Sequence, residues 1–445
     1  MKICLHVRNK ESGSVLIISM IVAMILGLTM GSYLYWVRSQ NILTAESQAW
    51  NHALAAAEAG IEEGMAQINI SYGNVASPTN YIGSIQTNWD NSVSGVYGPK
   101  INTNLLGSSY SAIVLPKNPG PTITSTGYTT VPYIGRKITR TVRVTTSSTP
   151  VFGKAMSALL GVTTKGSKLT IDSYDSADPN HSTNGMYNAA THLAGGDVAS
   201  VAGTIDTQNA NIYGHVSTGP TGNFTMGNNQ GSVGDLNWVG SGTPGIETGY
   251  YTKDFNMEVV DIIPPYTSGW SVPKNSNATN TYPLTTGNYL VGGDFIMSQN
   301  ETMNVSGNVS LYVTGNFNMK SQNACLINIL PGGSLKLYVG AQNGSAVSAN
   351  LSQVNTSGNA MTFQFFGLPT CTTMVWGGNN TYVGTVYAPE ADFSCGGGGN
   401  NTYDFQGSCV VRTVSMNGKF NFHFDENLKR VGPITGFSVA SWKEL

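Results

Sequence analysis

Three aspartates recur at every third position of a turn-rich stretch: Asp172, Asp175 and Asp178. Their carboxylate oxygens are ligands that Ca²⁺ accepts, but their spacing is not that of an EF-hand loop. Aspartate side chains also close Asx-turns and cap backbone N–H groups. The pattern therefore favours turn-forming and capping roles over a calcium site.

A second group of polar residues, His423, Asp425 and Glu426, lies near the end of the last predicted strand. Catalysis or metal binding here requires other groups to converge on them in the fold. Three further histidines lack the H-x-x-x-H or H-E-x-x-H spacing of helical metal sites: His181, His192 and His215. The sequence thus predicts neither a metal nor another cofactor.

A third set, Asp392, Asp404 and Arg412, has the residue types that a polysaccharide-active enzyme places on one face of stacked strands. We find neither a Gly-rich phosphate loop between a strand and a helix nor a G-x-S-x-G nucleophile elbow. An enzyme anchored at the cell surface is therefore one alternative, and an anchored binding module is another. The main prediction is a protein without catalytic activity.

The composition limits the kind of protein that carries these groups. The chain has 445 residues, 22 Lys and Arg, 24 Asp and Glu, and a net charge of −2. Charged residues make up only 10%, against about 25% in typical soluble domains. A nucleic-acid binder would need a basic surplus. The 53 glycines and the abundant Asn, Ser and Thr indicate an extended β protein outside the cytosol.

One segment is apolar enough to cross a membrane. No charged residue occurs from Ser12 to Val37, and residues 15–37 span about 34 Å as a helix, enough for a hydrocarbon core of about 30 Å. Basic residues precede it: Lys2, Arg8 and Lys10. The positive-inside rule therefore predicts a cytoplasmic segment 1–14 and residues 38–445 across an inner membrane whose lipid surrounds the span. The alternative is a cleaved secretory signal, whose apolar region is usually shorter.

The helix is predicted to continue through residues 38–70, because no proline interrupts this segment. An apolar stripe follows helical spacing: Trp50, Leu54, Ala57, Ile61, Met65 and Ile68. A second stripe of small residues is predicted to seat a neighbouring helix, chiefly through the first four: Ala49, Ala53, Ala56, Gly60 and Gly64. Within the span, Gly27 and Gly31 form a G-x-x-x-G match, a weak signal for close helix approach.

The motifs around this helix resemble a known family. The segment Glu11–Met20, followed by Ala56-Ala-Glu-Ala-Gly60, resembles the N-terminal domain of PilX-like type IV pilus assembly proteins. The resemblance covers residues 10–70 and implies a minor, pilin-like subunit of a pilus or a related secretion machine. Its partners would be other pilin-like subunits or pilus assembly proteins, with a possible surface ligand. Classical pilins carry Glu at the fifth mature position, and cleavage after Gly13 would put Ile18 there.

Residues 71–150 are predicted to form a small β-rich, pilin-like region. Turn residues dominate its first part, and Lys137–Thr145 alternates like a strand, with Ile138, Val142 and Val144 on one face. The segment Ser125–Tyr128 is its expected hairpin partner.

Residues 151–430 change to short strand-like runs between Gly and Asn turns. Ser310-Leu-Tyr-Val313 and Lys336-Leu-Tyr-Val339 are 26 residues apart, and Gly377-Gly-Asn-Asn-Thr-Tyr382 recurs 21 residues later. These spacings predict a C-terminal β-solenoid of the parallel β-helix kind, with one coil per repeat. A β-sandwich is the alternative. Residues 431–445 are predicted to be a C-terminal tail. The fold class is thus a long N-terminal α-helix plus mainly β structure.

Two stretches of this half also resemble a domain of uncharacterised function that follows PilX-like helices in some bacterial surface proteins. They are Asp172–Ser176 and the region from Val383–Asp392 to His423–Glu426. The resemblance covers most of residues 155–430 and implies architecture more than activity.

The redox environment of the cysteines depends on the predicted membrane topology. Cys4 falls on the cytoplasmic side, and the others lie in an oxidising compartment: Cys325, Cys371, Cys395 and Cys409. Cys371 and Cys395 are 24 residues apart, about one coil, so we predict that they stack on adjacent coils and form a disulfide. Cys395–Cys409 is the rival pairing.

Overall fold

The computed structural model describes residues 12–69, 89, 96–105, 107–116, 120–165, 169–227, 231–275, 280–320, 325–341, 347–355, 359–377, 381–396 and 401–445. Residues 1–11 of the predicted cytoplasmic segment, which include Cys4, and parts of both hexapeptide repeats lie outside these residues.

The described residues form three α-helices, α1 (Ser12–Asn69), α2 (Leu236–Gly240) and α3 (Leu428–Val431). The first strands are β1 (Tyr97–Leu105), β2 (Ser108–Leu115), β3 (Thr122–Thr130), β4 (Lys137–Pro150), β5 (Met156–Thr164), β6 (Thr170–Tyr174), β7 (Val198–Ser200), β8 (Thr204–Asp206), β9 (Asn211–Tyr213), β10 (Val216–Thr218), β11 (Asn223–Thr225), β12 (Ser232–Gly234), β13 (Gly245–Ile246) and β14 (Tyr251–Thr252). The remaining strands are β15 (Thr281–Leu284), β16 (Gly287–Val291), β17 (Phe295–Met297), β18 (Thr302–Val305), β19 (Asn308–Val313), β20 (Phe317–Met319), β21 (Leu326–Ile329), β22 (Ser334–Val339), β23 (Ala349–Leu351), β24 (Gln353–Val354), β25 (Phe363–Gly367), β26 (Thr373–Gly377), β27 (Tyr382–Gly396), β28 (Tyr403–Met416), β29 (Phe420–Asp425) and β30 (Ile434–Glu444).

These elements divide into two compact units. The helix–sheet unit contains the described residues of 1–68, 84–147 and 437–445. The stacked-strand unit contains those of 69–83 and 148–436.

The helix of the first unit is continuous over 58 residues, about 87 Å at 1.5 Å per residue. The predicted helix over residues 15–69 is therefore confirmed. Large apolar side chains of its first half are exposed, with Leu16 71% and Tyr35 77% accessible. The hydroxyls of Ser19, Thr29 and Ser32 donate to carbonyls three or four residues earlier, which satisfies them inside the helix. By length and composition this helix can span a membrane.

The sheet of this unit has the strand order β1-β2-β3-β4-β30. β3 and β4 form an antiparallel hairpin from Thr122 opposite Thr145 to Thr130 opposite Lys137, which confirms the predicted strand and its partner. The predicted tail over 431–445 is wrong, because these residues form the end of α3 and the edge strand β30. Leu445 N donates to Thr141 O at 2.9 Å, so backbone hydrogen bonds hold the C-terminus on the sheet.

The second half of α1 packs on this sheet through its small residues. Gly127 on β3 lies so close that an added Cβ would overlap the backbone of Ala53, and a Cβ on Gly60 would overlap Ser125. The face formed by Ala49, Ala53, Ala56 and Gly60 is therefore covered by the chain's own strands. The prediction that this face seats a neighbouring helix is wrong, because small residues serve here for helix-to-sheet contact.

The stacked-strand unit consists of parallel ladders in which strands three apart in sequence pair with each other. β15, β18, β21 and β24 form one ladder, β16, β19, β22 and β25 a second, and β17, β20, β23 and β26 a third. All three ladders continue onto β27. Leu311 lies opposite Leu337 and Tyr312 opposite Tyr338, so the predicted 26-residue repeat is the register of adjacent strands. Tyr382, however, pairs with Phe405 rather than Tyr403, so the hexapeptide repeat is out of register with the ladder.

Aromatic side chains fill the centre of this unit. The rings of Tyr382, Phe405 and Phe422 stack in sequence, with centroids 4.4 Å and 4.3 Å apart. Trp376 meets Phe405 edge-on at 5.8 Å, and all four side chains are fully buried. Offset and edge contacts of this kind add to the stabilisation from burial.

Strands from the two ends of this unit interleave. β5 pairs with β28 on one side and with β7 and β8 on the other. β29 pairs with β28 and with β6. The chain therefore enters the middle of the stack rather than one end, which brings residues near 172 beside residues near 423.

An extended segment, residues 253–274, crosses the outer surface of one ladder and is called the strap. Val260 N donates to Tyr387 Oη at 2.9 Å, and Tyr266 Oη lies 2.8 Å from the carbonyl oxygens of Tyr289 and Ser310. The strap thereby covers outward-facing aromatic side chains that water would otherwise contact.

Candidate functional site

The interleaved strands create a buried polar cluster around His423. Its Nδ1 lies 2.5 Å from Asp172 Oδ1, and its Nε2 lies 3.3 Å from Asp404 Oδ1 without hydrogen-bond alignment. The Tyr187 ring stacks on the imidazole at a centroid distance of 3.5 Å. Tyr187 Oη donates to Asp172 Oδ2 at 2.7 Å. The histidine thus sits between two carboxylates and under an aromatic lid.

Strand register explains the geometry of this cluster. His423 on β29 lies opposite Asp172 on β6 and opposite Gln406 on β28. The backbone N–H of Tyr187 donates to Gln406 Oε1 at 3.1 Å, which fixes the loop that carries the tyrosine. Neighbouring strands lie about 4.8 Å apart, so side chains on one face of adjacent strands must meet.

Burial and charge act in opposite directions on the titratable groups of this cluster. Burial alone would lower the pKa of His423, but Asp172 and Asp404 outweigh it and hold this pKa above its usual value. Burial favours protonation of Asp404, yet the contact with His423 lowers its pKa. Burial, reinforced by Asp172, raises the pKa of Tyr187 well above its usual range. The raised pKa of His423 favours a charged imidazole between the two carboxylates, an arrangement suited to joining strands rather than to general base catalysis.

Asp425 and Glu426, which the sequence grouped with His423, make contacts of their own. Asp425 Oδ1 accepts from Ser176 N at 3.0 Å and from Asn427 N at 3.1 Å, and burial raises the pKa of Asp425. Glu426 Oε1 accepts from Ser173 Oγ at 2.7 Å. Both carboxyl groups organise loops around β6 and do not converge on His423.

The three aspartates of the turn-rich stretch also separate. Asp175 accepts from Ala177 N at 3.0 Å, and Asp178 accepts from Asn180 N at 2.9 Å. The predicted Asx-turns are confirmed for these two residues. Arg430 Nη2 also contacts Asp175 at 2.6 Å; burial opposes ionisation of this carboxyl, but the guanidinium lowers its pKa overall. Within the described residues, no three His, Cys, Asp or Glu side chains are arranged to hold a metal ion.

The three remaining predicted histidines are dispersed. His181 Nδ1 lies 3.1 Å from Thr191 O, and His192 Nδ1 lies 2.8 Å from Ala189 O. His215 stacks on Tyr250 at 4.3 Å. Each histidine has its own local partner.

The residues proposed for a polysaccharide-active site do not act as one group. Arg412 Nε donates to Asp392 Oδ1 at 3.0 Å, and Thr413 Oγ1 donates to the same oxygen at 2.6 Å. Asp404 instead contacts His423 and accepts from Asn421 Nδ2 at 3.1 Å. The paired Asp392 and Arg412 bridge adjacent strands β27 and β28.

A further buried carboxylate, Glu301, was not singled out from the sequence. Its Oε1 contacts Lys274 Nζ at 2.6 Å, and Tyr282 Oη donates to Oε2 at 2.7 Å. Burial opposes ionisation of Glu301, but Lys274 and Tyr282 outweigh it and lower its pKa. The one sequence signal for this site is that Tyr282 and Glu301 are separated by about one predicted repeat. That signal cannot be used alone, because which strands pair is known only from the fold.

The four described cysteines are buried and have free thiols, so the predicted Cys371–Cys395 disulfide is not formed. Cys395 lies opposite Trp376 and Met416 on the neighbouring strands. The 24-residue spacing is therefore not one coil at this position, and Cys371 does not stack on Cys395. Cys409 lies opposite Val386 and Met156, which also leaves the rival pairing unformed.

In the apolar half of α1, Gly27 and Gly31 are exposed and contact no other part of the described chain. An added Cβ at either position would meet no heavy atom of this chain within 4 Å. Their role in helix approach stays a prediction.

Comparison with known proteins gives a family match to part of the chain. Residues 244–431 match the model of DUF7305, a domain of unknown function, within the region predicted to resemble an uncharacterised domain. No curated protein matches the chain. The competence-associated pilin ComZ from Thermus thermophilus is 14% identical, with a TM-score of 0.26 over 89% of this chain and 97% of that one. The DUF3494 domain of ice-binding protein 1 from Shewanella frigidimarina is 13% identical, with a TM-score of 0.21 over 62% of this chain and 99% of that one. Both TM-scores are low.

Proposed function

We propose that this protein is a membrane-anchored, pilin-like structural or accessory subunit of a type IV pilus or a related secretion system. Its α1 helix anchors it in the inner membrane, with the N-terminus in the cytoplasm. Its β-rich part lies outside that membrane and serves assembly or adhesion. The subunit is of the PilX type. Its proposed partners are inner-membrane lipid, other pilin-like subunits or pilus assembly proteins, and a possible surface ligand, but not nucleic acid.

The observation that carries this proposal is the division of α1 into two halves. The apolar side chains of the first half are exposed, whereas the second half packs on an antiparallel sheet through alanines and glycines. A helix that leaves the membrane and continues along a small sheet is the plan that the PilX-like resemblance implies. The exposed Gly27 and Gly31 offer a face for a second helix in the membrane.

A β-solenoid is the architecture that we propose for the stacked-strand unit. Strands three apart pair in parallel and in register, and apolar side chains alternate with outward polar ones along them. Asparagines align along the outside, where Asn328 Nδ2 donates to Asn304 Oδ1 at 3.0 Å. Such a stack makes a rigid body with long faces, suited to display and ligand contact.

The assembly role is tested by enlarging the open helix face. Gly27→Ile with Gly31→Ile should abolish copurification of pilin-like subunits from membranes, because two added side chains prevent close helix approach. Thr29→Ile, which lies on another face of the same helix, is the matched control and should retain the partners.

Unchanged copurification in the double variant would contradict assembly through this face. Membrane topology is tested separately: protease added outside spheroplasts should digest the β-rich part and spare α1. Protection of the β-rich part would contradict the proposed orientation.

The anchored polysaccharide-active enzyme remains the alternative, along with an anchored binding module unrelated to pili. The groups named for that chemistry are engaged with one another or with His423, which favours a structural role for them. We therefore propose no catalytic activity.

A further inference from the structure

The turn between β3 and β4 carries an exposed aromatic residue in an unusual conformation. Tyr133 is 95% accessible and has a φ of 71°, and the next residue, Ile134, is 42% accessible. A bulky residue at positive φ is uncommon and disfavoured. A conformation that directs two apolar side chains outward calls for an explanation other than packing.

This turn is held firmly on the helix. Val131 N donates to Arg136 O at 2.8 Å, and Gly135 N donates to Val131 O at 3.1 Å, so the backbone closes on itself. Val131 is buried in a cluster with Ala45 and Ala49 of α1. Arg136 Nη1 also contacts Glu46 Oε1 at 2.9 Å. The position of the turn along the helix axis is therefore fixed.

That position coincides with the end of the apolar segment of α1. Tyr133 and Ile134 line a cleft of about 640 Å³ whose opposite wall includes Leu34, Val37 and Arg38. The helix rises about 1.5 Å per residue, so Leu34 and Val37 occupy the last few ångströms of the span, and Arg38 directly follows it. Side chains that face them across the cleft lie at the depth of the membrane interface.

We propose that this turn is a second membrane contact, in which Tyr133 and Ile134 enter the lipid interface and a phospholipid headgroup occupies the cleft. The proposal rests on the proposed membrane anchorage of α1. Tyrosine is enriched at this depth, where its ring is in apolar surroundings and its hydroxyl in water. The cleft is amphipathic, with Leu34 and Val37 on its apolar side.

The charges around the turn favour an anionic headgroup. Arg38 lines the cleft, and Arg136 and Lys137 are exposed next to the turn in sequence. Glu46 pairs with Arg136, so Arg38 and Lys137 carry the greater part of the positive charge, and basic side chains next to a membrane attract anionic lipids. The polar residues Asn41 and Gln48 also line the cleft, which suits a headgroup better than the apolar helix of a second copy. Two fixed points, the helix and the turn, would set the tilt of the helix–sheet unit on the membrane.

The experiment places an environment-sensitive nitrobenzoxadiazole label at residue 133. The full-length protein carries Tyr133→Cys to receive the label and Cys4→Ser to remove a competing thiol. The four described cysteines are buried, so they do not take up the label in the folded protein. The labelled protein is reconstituted in vesicles of phosphatidylcholine and phosphatidylglycerol. The matched control is Leu115→Cys, since Leu115 is 40% accessible and lies on the neighbouring strand β2 opposite Thr122, at the end of β3 that is remote from the turn. Lipids with a nitroxide near the headgroup serve as quenchers.

We expect the label at 133 to be quenched by these lipids at least twofold more than the label at 115. The difference should decrease when phosphatidylglycerol is omitted. Equal, weak quenching at both sites would overturn the proposal. A change at 133 that appears only at high protein-to-lipid ratio would also overturn it, because a second copy would then fill the cleft.

Failure of the anchorage itself gives a different result. Protein that does not float with the vesicles contradicts the membrane anchor, whereas protein that floats with an unquenched label at 133 contradicts only the second contact. Ile134→Asp provides an independent variant, expected to reduce quenching at 133 while flotation stays unchanged. Unaltered quenching in that variant would count against entry of the turn into the lipid.

Discussion

The two units of this protein bury their surfaces in opposite ways. In the helix–sheet unit, α1 contributes alanines and glycines, and Gly127 lets the helix backbone touch the sheet. In the stacked-strand unit, large rings fill the centre, where Tyr382, Phe405 and Phe422 lie on adjacent strands and stack on one another. One unit is packed by backbone approach and the other by side-chain volume.

This difference predicts which substitutions each unit tolerates. Where backbones touch, an added methyl group cannot be accommodated unless the helix or the strand moves. Where rings fill the interior, removing volume leaves a cavity and added polarity is costly. The unit packed by volume should therefore lose more stability from truncation than the other unit loses from enlargement.

The largest effect is expected from truncation in the aromatic stack. Phe405→Ala should lower the free energy of unfolding by about 3–5 kcal/mol, because it removes a buried ring and leaves a cavity. Phe405→Leu is the matched control and should cost less, since most of the volume is kept. Urea unfolding of the detergent-solubilised protein, followed by near-UV circular dichroism, measures both. Equal losses in the two variants would mean that cavity volume does not govern this core.

A smaller effect is expected at the helix contact. Gly127→Ala should cost about 1–3 kcal/mol, the usual range for overpacking, because the new Cβ would overlap the backbone of Ala53. Protease sensitivity of the second half of α1 should rise in parallel. Tyr128→Ala, on the exposed side of the same strand, is the control. A Gly127→Ala protein as resistant as the parent would show that helix and sheet separate easily.

The buried histidine adds a pH-dependent contribution to the stacked-strand unit. The pKa of His423 is raised in the fold, so the charged imidazole contributes stability that is complete below the ordinary His pKa of about 6.5. That contribution is lost as pH rises through the higher folded-state pKa. His423→Gln should therefore cost about 1–3 kcal/mol at pH 6 and less at higher pH.

Urea unfolding of both proteins across this pH range measures the difference. The groups that face His423 are Asp172, Asp404 and Tyr187. The pKa of Asp404 is lowered and that of Tyr187 is raised, so neither of these two groups titrates in the pH range over which His423 loses its charge. A cost independent of pH would show that the histidine is neutral in the fold.

The smallest effect concerns the thiols. Burial raises the pKa of Cys371 to about 12, and burial also raises the pKa of Cys395 and Cys409. Reductant should leave the unfolding midpoint unchanged, and iodoacetamide should label these cysteines only after unfolding. Mass spectrometry of alkylated peptides without reductant checks this. Unlabelled cysteines in unfolded, unreduced protein would restore the disulfide that the sequence predicted.

Several features of this protein follow from the sequence alone. The uncharged run Ser12–Val37, the absence of proline up to Asn69 and the alternation of Lys137–Thr145 predicted α1 and the β3–β4 hairpin, because local periodicity decides such elements. The paired tetrads at 310 and 336 predicted a register that the strands adopt. Each of these signals lies within one element or between neighbouring strands of one ladder.

Only the tertiary structure shows which other elements these helices and strands pack against. The small-residue face of α1 is equally compatible with packing against a helix or against a sheet. The close approach of Gly127 to Ala53 shows that it packs against the sheet. His423 meets Asp172 because a strand from the start of the unit enters between strands from its end. No local pattern encodes such a long-range insertion. The sequence separation between paired residues differs from one strand pair to another, so the spacing of the cysteines did not give the distance between their thiols. The C-terminal residues form a strand because β4 has an open edge with which they pair.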